Sequence, residues 1–266
     1  MALAHNLGFP RIDHDSELRA RHWQVQREAG IELLPVGDFA WFDQPFDLSW
    51  AQLFDEVAQA KALGHAVKPV VIGPLTYLWQ GETNDGIDTL ERLERLLPLY
   101  DQHLNRLATL GVEWVQIDEP ILAEDLPQDW KNAFERVYNI LQRAPLKKLI
   151  ATYSGGLGGN LGLAANLPVD GLHIDLVQAP DQYVTILDRL PAYKVLSLGL
   201  VDGGNAAPCD LGETLDLLHD AHERLGERLW LAPSCSLTRS PLEVAVQKCQ
   251  EVAVLVAALE ENRAAA

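Results

Sequence analysis

Short runs of apolar and β-branched residues alternate along the chain with longer segments whose apolar positions recur every three or four residues. The runs are LGFPR (7–11), LLPVGDF (33–39), KPVVIGP (68–74), WVQIDEP (114–120), KLIATYS (148–154), GLHIDLV (171–177), KVLSLGLVD (194–202) and LWLAPSCS (229–236). Helical patterns such as ELRARHWQVQREAG, DLSWAQLFDEVAQAKALG and DTLERLERLLPLYDQHLNRLATLG follow most of them, and glycines at their ends can stop a helix. A strand and then a helix, repeated eight times, predicts a single (β/α)8 TIM barrel over residues 1–266. The least regular repeat is the fifth, where GGLGGNLGLAANLP leaves room for only a short helix. An open doubly wound sheet is the competing architecture, but it uses fewer strands and carries a glycine fingerprint after the first, where this chain has PRIDHD.

Charge then narrows the partners. A formal net charge of −17 over 266 residues, with no clustered Lys or Arg, argues against nucleic acid and against an anionic membrane surface. No apolar run approaches the roughly 20 residues of a spanning helix, and MALAHNLGFPRIDHD is unlike a secretory signal, so the expected location is the cytoplasm. Three widely spaced cysteines, Cys209, Cys235 and Cys249, suggest reduced thiols rather than a disulfide framework or a metal knuckle.

In such a barrel the functional face lies at the carboxyl ends of the strands, so the polar residues that end each run are the candidates. They are Arg11, Asp38, Asp118, Glu119, Thr152, Ser154, Asp175, Asp202, Ser234 and Cys235. In IDEP, Asp118 and Glu119 project to opposite sides of one strand, and the one at the mouth could orient an ammonium group, hold a metal or act as a base. The alternative is that one caps the next helix and the other pairs with a nearby arginine. We take both as the catalytic candidates, and Arg11, Asp38, Trp41, Trp79, Ser154, Asp175 and Ser234 as substrate-binding candidates, with Trp41 and Trp79 able to stack on a planar ligand. Cys235 is a weak metal candidate, because a zinc site needs about three protein ligands dominated by His and Cys. No metal site is otherwise expected. His173 lies two residues before Asp175 on the same face and reads as a core residue.

LGFPR, ELRARHW, LLPVGDFAW, VKPVVIGPLTYLW, WVQIDEP, LHIDLV and SCSL followed by SP resemble, in order and over nearly the whole chain, the amino-terminal barrel of cobalamin-independent methionine synthase. The resemblance implies a family of two face-to-face barrels that transfers a methyl group from polyglutamylated 5-methyltetrahydrofolate to homocysteine with a zinc-bound thiolate. Its zinc and homocysteine sites belong to the carboxyl-terminal barrel. At the equivalent strand ends this chain has Thr152 and Ser154 for the family's His-x-Cys, Asp175 for the Glu ligand, and Cys235. The folate-contacting basic segment after the first strand is missing, FDQPFDLSW stands in place of a long insertion, and GGNAAPCD replaces a GRNxWR-like loop. The resemblance therefore implies a methionine-synthase-type barrel without methyl transfer on its own, and no cofactor is expected with zinc ligands mostly absent. It retains at most a folate or amino-acid ligand near Asp118. Two alternatives are half of a split enzyme, completed by a separate carboxyl-terminal barrel, and a non-catalytic, minimised or engineered scaffold.

Overall fold

The computed structural model describes residues 1–10, 16–37, 50–81 and 88–265. Eight parallel strands follow one another around a single sheet: β1 (Leu3–Ala4), β2 (Leu34–Val36), β3 (Val67–Ile72), β4 (Trp114–Asp118), β5 (Lys147–Ala151), β6 (Gly171–Asp175), β7 (Val195–Val201) and β8 (Leu229–Pro233). Strand β1 pairs with β8, and a parallel bridge between His5 and Leu33 joins β1 to the start of β2 and closes the ring. Sequential order with closure is the TIM-barrel arrangement and excludes the doubly wound sheet.

Nine α-helices are assigned among the described residues: α1 (Ser16–Glu28), α2 (Ala51–Ala62), α3 (Pro74–Gln80), α4 (Leu93–Thr109), α5 (Gln128–Leu141), α6 (Leu161–Asn166), α7 (Gln182–Arg189), α8 (Leu211–Leu225) and α9 (Leu242–Ala265). In α4 the buried positions Leu93, Leu96, Leu97, Tyr100, Leu104 and Leu107 keep the three-and-four spacing, and the Tyr100 hydroxyl donates to the carbonyl of Ile72 at 2.7 Å. Gly30, Gly64 and Gly111 take positive φ where α1, α2 and α4 end, as a left-handed helix stop requires. The glycine-rich fifth repeat yields only the six-residue α6, preceded by a short 3-10 turn.

The first strand departs from the sequence expectation. The ladder is made by Leu3, Ala4 and His5, upstream of LGFPR, whose Leu7 and Phe9 are fully buried beyond the strand end. The reason lies inside the barrel. Alternate residues of each strand point inward, and halfway along the barrel these are polar: His5, Lys68, Gln116, His173 and Ser197 are all buried without measurable exposure. Below them Trp114 and Trp230 plug the amino-terminal end with ring centroids 4.6 Å apart, beside Leu33 and Leu149. Above them Leu7, Ala151 and Ala232 form a small apolar collar near the mouth.

Candidate functional site

Alternation along β4 sends Trp114, Gln116 and Asp118 inward and Val115 and Ile117 outward into the helix-facing core. Asp118 thus stands at the mouth end of the interior column and Glu119, the next residue, turns the opposite way. The two carboxylates have separate surroundings.

Asp118 Oδ1 accepts from Gln116 Nε2 at 2.7 Å, and Oδ2 accepts from the Tyr153 hydroxyl at 3.2 Å. Gln116 also donates to the carbonyl of Leu7, while its side-chain oxygen accepts from the buried ammonium of Lys68, which donates in addition to the carbonyl of Asn6. Burial pushes Asp118 up to about 7, against the pull of Gln116, Lys68 and Tyr153. Tyr153 is itself held well above the ordinary phenol range by burial and by the Asp118 charge, so it keeps its proton.

Glu119 lies behind the strand, with no exposed surface. Its carboxylate receives the backbone N–H groups of Leu75 and Thr76 at the start of α3, the Thr76 hydroxyl at 2.6 Å and the Tyr138 hydroxyl of α5 at 2.9 Å. A carboxylate at a helix amino terminus satisfies donors that have no partner within the helix. The helix it caps precedes β4 rather than following it. Burial pushes Glu119 up to about 7 as well, with Thr76, Tyr138 and Leu75 pulling the other way.

Deeper in the barrel, Ser197 Oγ sits between His5 Nε2 at 2.6 Å and His173 Nδ1 at 2.7 Å. A hydroxyl has one proton, so one imidazole donates to Ser197 and the other accepts. Burial drops His173 to about 3 and holds His5 well below its usual value, leaving both rings neutral. None of this trio is exposed.

Above Asp118 a cavity of about 710 Å³ opens at the carboxyl ends of the strands. Trp79, Glu124, Tyr153, Ser154, Cys235 and Arg239 are among the residues that line it. Trp79, 40% exposed, packs edge-on against Trp130 of α5 at 4.7 Å, which leaves part of its ring in the cavity wall. Ser154 follows Tyr153 in a left-handed backbone conformation, φ 67°, of the kind that non-glycine residues hold at functional turns. A second depression, of about 690 Å³, lies on the opposite face between Glu113, Lys147, Asp170 and Tyr193. It contains none of the candidate residues.

The remaining candidates distribute as follows. Asp175 is buried at the end of β6, and its Oδ1 accepts from the backbone N–H groups of Val177 and Gln178, both at 3.0 Å. Ser234 Oγ accepts from the N–H of Gly203, and Thr152 donates its hydroxyl to the carbonyl of His173 at 2.7 Å. Asp202 accepts from Gly204 N and Asn205 within the loop that carries GGNAAPCD. Cys235 is partly exposed in the cavity; burial pushes its thiol up, a bond from Ser234 opposes this, and Asp175 and Asp202 add to it. Cys249 is buried in α9. Arg11, Asp38 and Trp41 lie outside the described residues.

The family-implied metal can be tested against these donors. Thr152 and Asp175 Oδ1 already serve backbone groups, and Cys235 is held as a thiol by burial and two nearby carboxylates. No group of three or more His, Cys, Asp or Glu side chains among the described residues could hold a metal ion. The donor set does not fit zinc.

Reading only the polar ends of the strands misses Tyr153, Gln116, Lys68 and Arg239. Gln116 and Lys68 were accessible in principle, since both stand in strand runs at positions that share a face with inward residues. Arg239 comes from the segment after β8, where the pattern held no signal.

The model for the cobalamin-independent synthase N-terminal domain matches residues 44–226. A B12-independent methionine synthase from Shewanella sp. W3-18-1, solved in complex with selenomethionine, superposes with a TM-score of 0.78 at 13% identity, covering 100% of both chains. A putative vitamin-B12 independent methionine synthase from Listeria monocytogenes gives 0.71 at 18% identity over 92% of this chain and 86% of the other. A methyltransferase from Methanosarcina mazei gives 0.57 at 15% identity, over 79% and 64%. At these identities the solved structures establish the fold, and the family model, which spans more than half of the sequence, establishes the lineage. The chain belongs to the cobalamin-independent synthase family, as its N-terminal domain.

Proposed function

We propose that this barrel holds a small amino-acid-like ligand in its mouth cavity and does not transfer a methyl group to homocysteine by itself. The observation that carries the second half is the chemistry of the strand ends: Thr152, Ser154, Asp175 and Cys235 supply hydroxyls, a carboxylate engaged by two amides and a protonated thiol, so homocysteine would meet no metal able to hold its sulfur as thiolate. The first half is supported by the cavity itself, which lies where barrel enzymes bind ligands, and by the selenomethionine named for the Shewanella barrel. A folate is less well served. The loop that follows β7 has no Arg or Trp, and its Asp202 carboxylate is taken up within its own turn. The test is direct: the purified chain is given one equivalent of zinc, homocysteine and 5-methyltetrahydrofolate triglutamate, and methionine is sought by mass spectrometry. No methionine and no zinc retained after gel filtration are expected; turnover above the enzyme-free control overturns the proposal.

A second reading, favoured by the match to an N-terminal domain, is that a separate carboxyl-terminal barrel supplies the missing chemistry. Mixing the two at micromolar concentration restores activity if that reading is right, and leaves both inactive if it is wrong.

A further inference from the structure

We infer that Tyr153 is the group that reads the ligand in the mouth cavity, and that it selects a positively charged hydrogen-bond donor, a primary ammonium group first of all. This rests on the amino-acid reading above for the occupant and adds the atom that recognises it. The argument is one of proton direction. An ammonium group has only donors, so Lys68 fixes the near end of a chain: it donates to the side-chain oxygen of Gln116 and to the carbonyl of Asn6. That contact orients the Gln116 amide. Its nitrogen must then face Asp118 Oδ1, at 2.7 Å, and the carbonyl of Leu7, at 2.9 Å. An ionised Asp118 can only accept, so at its other oxygen the Tyr153 hydroxyl must donate, across 3.2 Å. A phenol has one proton. With that proton committed inward, Tyr153, one of the residues that line the cavity, has only lone pairs left to offer a ligand.

A ligand carbonyl or carboxylate brought to that oxygen would set lone pair against lone pair, whereas an N–H group donates into it. The buried Asp118 charge one bond behind the phenol makes the oxygen a better acceptor and favours a cationic donor. Asp118, 1% exposed, need not touch the ligand at all. Glu124 adds negative charge to the same cavity, and Arg239 is its one cation among the described lining residues.

The test compares L-methionine with 4-(methylthio)butanoate, which lacks the amine, by calorimetry near pH 8 on the native chain and on Tyr153→Phe. The native chain is expected to prefer methionine by at least about tenfold, the equivalent of one charge-assisted hydrogen bond. In Tyr153→Phe the preference collapses while affinity for the deaminated acid stays the same, a result that general damage to the cavity would not give. Equal affinities in the native chain, or a preference that survives the substitution, overturn the inference. If methionine does not bind, it is the amino-acid reading that fails, and n-butylammonium against n-butanol then decides the role of Tyr153 by NMR. A Tyr153 resonance that responds to the ammonium alone, and no longer to it in Asp118→Asn, supports the inference. Absence of that response overturns it.

Discussion

Two adjacent carboxylates, Asp118 and Glu119, carry most of what this molecule says about itself, and they do different work. Glu119 receives four donors, and the two that are backbone N–H groups of α3 cannot be redirected without moving the helix. Glu119→Gln keeps the shape but sets an NH2 group against donors, so a loss of about 3 kcal/mol in urea unfolding is expected. An unchanged midpoint would show that the contacts are idle. The pH dependence follows from the same burial. Glu119 stands at about 7 in the folded chain against an ordinary 4.5, so between those values the folded chain holds a proton that the unfolded chain has released. The corresponding stability is full below about pH 4.5 and is lost as pH rises through about 7. Asp118, raised in the same direction, adds to the trend. Urea midpoints should therefore fall between about pH 5 and pH 7.5, with a smaller fall in Glu119→Gln; a rise over that range contradicts the assignment. The strand period alone separates the two residues onto opposite faces. Their partners have no signal in the strand period, because Thr76 and Tyr138 come from other elements and Tyr153 stands between two smaller polar residues, Thr152 and Ser154, at the same strand end.

Among the elements, α3 is the one whose position decides the shape of the mouth. Its N-cap is Gly73, whose N–H donates to the carbonyl of Asp118 at 2.8 Å, and it carries Trp79 into the cavity wall. A Cβ at Gly73 would stand 2.0 Å from Glu119 Cδ, although the backbone there, φ −71°, suits any residue. Gly73→Ala is thus a purely steric wedge between helix and strand. It should cost about 2 kcal/mol, as overpacking does, and alter the near-ultraviolet circular dichroism of the Trp79–Trp130 pair; a native spectrum would show that α3 can shift without consequence. At the opposite end of the barrel, Lys194 is fully buried and donates to the carbonyls of Ala165 in the last turn of α6 and of Leu167 just after it. Lys194→Met takes this donor from the Ala165 carbonyl and leaves the Leu167 carbonyl with the N–H of Val169 alone, and should lower stability by about 2 kcal/mol in the same unfolding assay; no change would mean the Ala165 carbonyl finds another donor. The helices were legible because their stripes repeat over many residues. Strand β1 was not, since inward-facing polar side chains such as His5 break the apolar run that marks a strand, and the ladder begins before the motif that the eye finds.

For the whole molecule, eight repeats of strand and helix were enough to specify a closed barrel, because the alternation is a property of the full length and survives an error at any one element. Activity has no such redundancy: it depends on a few side chains at the mouth, and substitutions at Thr152, Ser154 and Asp175 change the chemistry without disturbing the period. No helix among the described residues is long and apolar enough to cross a membrane. The ring is also unequal around its circumference. Strands β4 and β5 are joined by five registered pairs, whereas among the described residues β1 meets β2 through one bridge, with Glu32 N on the carbonyl of Ala4 at 3.0 Å and Leu33 N on the same oxygen at 3.4 Å. That joint is a seam, and a seam is where a ring opens first. Amide hydrogens of Glu32 and Leu33 should exchange with solvent deuterium well before those of Ile117 and Ile150, through local opening rather than global unfolding. The barrel would then breathe as a sheet that unzips along one line and recloses.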